Sequence, residues 1–154
     1  MTTTTTEPPA RDLLDDEHLR ALAHGLGGAA EVDALLTLFV ALLRQRLEDL
    51  ADAVSHTDTE RVDQSCRTLA EPAAMLGLDR LHGLLMSLAA TAPDDGDRRR
   101  ALAREVTTCA DETAGEILRR LAEGPRKVER PDQIELMLRR LCAPGRRRGT
   151  APRP

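Results

Sequence analysis

The chain has 154 residues, a length that suits one domain with tails. Leu and Ala dominate its apolar residues, with one Phe (Phe39), no Trp and no Tyr, which favours helices and removes the aromatic platforms on which nucleic-acid bases stack. The net charge of −4 is uneven: residues 125–154 hold nine Lys and Arg against three Asp and Glu, a net of +6, leaving −10 on residues 1–124, a balance that argues against the body as a nucleic-acid surface.

Residues 1–12, with five Thr and two Pro, carry no periodic apolar pattern and read as a disordered lead. Asp15 is placed to cap a short first helix bearing Leu19, Leu22 and Leu26, which Gly25, Gly27 and Gly28 end. A second helix is predicted from about Val32 to Val54, because Leu36, Phe39, Leu43, Leu47, Leu50 and Val54 recur every three or four residues. Thr57 and Glu60 have capping-box spacing, opening a third helix from about Asp58 to Met75. Its apolar stripe is Val62, Cys66, Leu69, Ala73 and Leu76, and Gly77 closes it. Asp79 can cap a fourth helix with Leu81, Leu84, Leu85 and Leu88, ended by the turn Pro93-Asp94-Asp95-Gly96. A fifth runs from about Asp97 to Ala122 on Leu102, Val106, Cys109, Thr113, Ile117 and Leu121, and Gly124-Pro125 stops it. A short amphipathic segment follows, with Ile134, Met137, Leu138 and Leu141 on one face. It can pack on the bundle, form a homodimer or hold a partner. Arg146–Arg148 begin a basic tail.

Short links between long amphipathic helices make antiparallel neighbours. The expected fold class is therefore all-α: an up-down antiparallel four-helix bundle with a short leading helix and a short extra C-terminal helix. The expected organisation is tail 1–12, bundle 13–123, linker and amphipathic helix 124–142, and basic tail 143–154. Cys66, Cys109 and Cys142 form no CxxC and no metal-ligand cluster, so reduced thiols and no metal are expected. The opening residues lack a secretory pattern, and no stretch approaches the roughly 18 apolar residues of a membrane span. These points place the chain in the cytoplasm, with no membrane and no cofactor.

The run Cys66-Arg67-Thr68-Leu69-Ala70-Glu71-Pro72-Ala73-Ala74-Met75-Leu76-Gly77 resembles the A-H-x-L-K-G-S-A-x-x-L-G pattern of histidine-containing phosphotransfer (HPt) domains. The likeness extends over about residues 13–122. It implies a helical bundle of a two-component or phosphorelay pathway. Leu69, Ala73, Leu76 and Gly77 agree with the pattern, and these are fold-making positions. Arg67 stands where the phospho-accepting histidine belongs, Ala70 where a lysine belongs, and Glu71 where a small glycine lets the partner approach.

With Val62 as zero and about 100° per residue, the apolar stripe stays within roughly 40°, whereas Asp63 falls at about 100°, Arg67 at about 140° and Glu71 at about 180°. Arg67 is thus expected to face solvent. Its guanidinium stays charged and offers no nitrogen lone pair, so it cannot accept a phosphoryl group. Pro72 is expected to bend the helix just beyond it, at a cost of about 3 kcal/mol.

The chain reads as a binding module rather than an enzyme. Its expected contact surface is Asp63, Arg67, Ala70, Glu71 and Ala74, and its expected partner a response-regulator receiver domain or a histidine kinase. The resemblance implies that such a receiver presents an acidic pocket, with which Arg67 can pair. Two alternatives remain: a displaced phosphoacceptor at His82, or an adaptor acting through the basic C-terminus.

Overall fold

Asp15 opens the first helix, its carboxylate accepting the N–H groups of Glu17 and His18, both at 3.0 Å. These are two of the orphan donors that any helix start leaves behind. This computed structural model describes residues 13–124. The expected tails and, past residue 124, the expected linker and amphipathic helix lie outside that range. The described residues form five helices and no strand: α1 Asp16–Leu26, α2 Ala29–Ser55, α3 Thr59–Met75, α4 Asp79–Ala89 and α5 Gly96–Glu123.

Helices α2 to α5 are consecutive neighbours, and α5 packs back on α2, which closes the four-helix bundle. The apolar stripes meet at its centre, where Leu36, Leu50, Val62, Leu69, Leu81, Leu85, Leu88, Val106 and Ile117 are all buried. Helix α1 lies across one end. It packs on α2, pairs Asp16 with Arg120 near the end of α5, and gives the Nε2–H of His18 to the Met75 carbonyl of α3 at 2.8 Å. Leu19 is its buried anchor, while Leu22 is only partly covered and Leu26 is exposed.

The opposite end is held by Arg99, a charged side chain only 5 % exposed. Its Nε and Nη2 donate to the Thr91 carbonyl after α4 at 3.4 and 3.1 Å, and its Nη1 to the Thr59 hydroxyl at 3.3 Å. The apolar stripe expected for α5 begins at Leu102 and leaves Arg99 out. Its spacing of three from Leu102 nevertheless places it on the buried side of the helix.

Two expected caps are corrected. Asp58, not Thr57, caps α3, accepting the Arg61 N–H at 3.1 Å. Thr57 is instead the left-handed residue after α2, with φ 53°. Its N–H reaches the Val54 carbonyl and that of Asp58 the Ala53 carbonyl, the two reverse bonds of a Schellman end. Asp79 is the first residue of α4 rather than its cap. The cap position falls on buried Leu78, because Leu78 N–H is already tied to the Ala73 carbonyl and α4 starts at once. There Asp79 still sits favourably at the positive end of the helix dipole.

Gly77 joins α3 to α4 at φ +70°, and a Cβ there would meet the His18 ring at 2.6 Å. Backbone conformation and close packing both require glycine. Gly77→Ala is expected to destabilise the fold by about 2–3 kcal/mol, combining left-handed strain with overpacking. A lowered urea midpoint at unchanged slope checks this.

Candidate functional site on the outer face of helix α3

Helix α3 touches α2 on one side and α4 on the other, and its remaining face meets solvent. Val62, Cys66, Leu69 and Ala73 point inward. Arg67, Glu71 and Ala74 are exposed and Asp63 is half-buried. Arg67 has acidic residues four positions before and after it, at a spacing where side chains can meet. It nevertheless forms no ion pair or hydrogen bond with any described residue.

Ala70 is a correction. Expected on the contact surface, it is 5 % exposed. At about 80° from Val62 it stands on the shoulder opposite Leu69 and Pro72, which line α2. That shoulder is covered because α3 is packed on both flanks, which widens its buried arc beyond one stripe.

Helix α3 continues through Pro72 to Met75. A proline here has no N–H for the carbonyl four residues earlier, that of Thr68. Arg46 of α2 supplies the missing donor: its Nη1 reaches the Thr68 carbonyl at 2.9 Å. The interruption is thereby satisfied from a neighbouring helix, one residue from Arg67. Sequence reasoning does not single out Arg46, because its partner is 22 positions away and is created by the proline.

The four histidines lie elsewhere. His18 is on α1 against the Met75 carbonyl. His24 is near the end of α1. His56 follows α2, its Nδ1 near Asp52. His82 is half-buried on α4. None stands on the outer face of α3. No three His, Cys, Asp or Glu side chains cluster as metal ligands among the described residues.

Cys66 lies beneath the face. Burial first, and the Asp63 carboxylate second, push its thiol up to about 11, with Arg99 opposing. Burial also raises Cys109. Both are buried, where a thiol stays neutral and is a poor nucleophile.

In a comparison with solved structures, the chain is similar to histidine-containing phosphotransfer protein B (HptB) from Pseudomonas aeruginosa PAO1. The TM-score is 0.66 at 19 % identity, covering 75 % of this chain and 100 % of that one. The fold is therefore HPt-like. No family model and no curated protein matches the sequence. Among the described residues no single helix is long and apolar enough to cross a membrane.

Two outcomes are expected. Arg46→Met should cost about 1–2 kcal/mol by leaving the Thr68 carbonyl unpaired. In a Pro72→Ala background, where the substituted residue restores the N–H, less than half of that cost should remain, as a double-mutant cycle by urea unfolding will read. The thiols give a pH signature. At pH 7 a thiol reagent should modify Cys66 and Cys109 only on unfolding. Above the ordinary thiol value of 9.0 the unfolded chain ionises while folded Cys66 does not, so stability should fall as pH rises toward about 11.

Proposed function

We propose that this chain is a cytoplasmic pseudo-HPt module: a non-phosphorylatable signalling domain that binds a receiver domain or a histidine kinase through the outer face of α3. The observation that carries this reading is Arg67, exposed in the middle of α3 and without a partner among the described residues, where the sequence resemblance would put the phospho-accepting histidine. The solved structure of like fold is named as a phosphotransfer protein, which supports a place in phosphorelay signalling.

The chemistry separates docking from transfer. Phosphohistidine formation needs a nitrogen lone pair, and a guanidinium has none at physiological pH. The same planar cation donates bidentate hydrogen bonds to carboxylates. A receiver with an acidic phosphoacceptor pocket therefore offers Arg67 a ligand, and Arg67 fills that pocket without carrying phosphate. Asp63, Glu71 and Ala74 border it. Ala74 leaves room for a partner helix, while the two acids orient the approach of a basic rim.

Titration calorimetry against the receiver domains and histidine kinases of the same cell tests the reading. One of them should bind, and Arg67→Ala should weaken it at least about tenfold, which is about 1.4 kcal/mol. The loss should shrink as salt rises, since exposed charges are screened. No affinity, or affinity unchanged by Arg67→Ala, removes the docking role. Acid-labile label passed from a phosphorylated receiver, and lost in His82→Ala, would make the chain an active carrier instead.

A further inference from the structure

An apolar cleft of about 130 Å³ runs between α2 and α3, walled by Leu35, Leu38, Leu42, Leu69, Pro72 and Met75, with Arg46 also lining it. Leu38, Leu42 and Met75 remain 55 %, 41 % and 46 % exposed. The bundle core is complete without them. Large apolar side chains grouped along a helix pair mark a contact surface rather than scattered surface leucines.

Three features of the chain point to one occupant. The first is pattern. Ile134, Met137, Leu138 and Leu141 fall at i, i+3, i+4 and i+7, the anchor spacing of a helix laid in a groove. As a helix this stripe is about 10 Å long, and the cleft wall from Leu69 to Leu76 is the same number of residues, hence the same length.

The second is reach. Helix α5 ends at Glu123 beside α1, where Arg120 pairs with Asp16. Two residues along α1, His18 binds the carbonyl of Met75, a residue of the cleft wall. The chain thus leaves α5 at the end of the bundle where the cleft lies. Residues 125–133 can span about 30 Å when extended, more than the roughly 20 Å across two helices.

The third is charge. Residues 125–154 carry +6 and residues 1–124 carry −10, an attraction within one chain. The HptB chain is matched over its whole length, which leaves a quarter of this chain without a counterpart there.

We propose that residues 134–141 dock in cis, as a helix, in the α2–α3 cleft. The seating stands independently of the signalling reading above.

The test uses the full chain without any partner. A nitroxide is attached at Cys142, since Cys66 and Cys109 are buried with raised thiols. Methyl relaxation is then read at Leu38, Leu42 and Met75, with exposed Met86 on α4 and Leu118 on α5 as references. Broadening at the cleft methyls should exceed that at the references at least fivefold, survive tenfold dilution, and vanish in Leu138→Asp. Equal broadening on all faces overturns the proposal. So does broadening that appears only when spin-labelled and isotope-labelled copies are mixed, which assigns the cleft to a second copy, and so does persistence in Leu138→Asp. Each outcome is read independently of receiver binding.

Discussion

The Thr68 carbonyl lies one peptide from Arg67, and the proline four residues later offers it no N–H. In a lone helix that carbonyl would turn to water and the helix would open. Arg46 reaches across from α2 and gives it a donor at 2.9 Å. Helix α3 therefore keeps one register from Thr59 to Met75. That register holds Val62, Leu69 and Ala73 in the core and Arg67 outside it. Everything inferred about the outer face follows from this continuity, and it is secured by a contact between two helices.

Two arginines show how place decides chemistry. Arg99 is buried at one end of the bundle and uses its donors on the Thr91 carbonyl and the Thr59 hydroxyl, holding α3, α4 and α5 together. Arg67 sits mid-helix in water and uses none. The first makes structure and is unavailable to any ligand. The second has no partner among the described residues and can meet an anion. At the other end, α1 and Gly77 perform the closure that Arg99 performs at its own end, through a histidine packed so near the turn that no Cβ fits. The bundle is thus fastened at both ends, and no described residue covers the outer side of the α2–α3 pair.

Much of this is legible in the pattern of leucines. The five helices fall within three residues of where spacing places them, and Leu36 to Val54 on α2 form the buried face expected. The outward direction of Arg67 and Glu71 is legible too, because one angular step per residue suffices for it. What failed did so for identifiable reasons. Ala70 is buried because α3 has two neighbours, and a single-stripe reading allows for one. Thr57 is a left-handed C-terminal residue rather than a cap, because the tight turn after α2 moved the cap to Asp58. Arg99 escapes an apolar pattern because it is charged and stands between two arginines, although its position on the stripe is there to be seen.

Read alone, the chain settled the helices and which side of each is apolar, since propensity and a 3.6-residue period are local properties of the chain. It also determined that position 67 holds an arginine, whose guanidinium keeps its charge at physiological pH, since that is a property of the side chain alone. It took the packed fold to show that Arg46 answers Pro72, that Arg99 is interior, that Ala70 is covered, and that the described residues leave an apolar cleft between α2 and α3. Each of these joins groups distant along the chain. Such pairings depend on which helices are neighbours and how they are rotated against each other, and no local pattern encodes that.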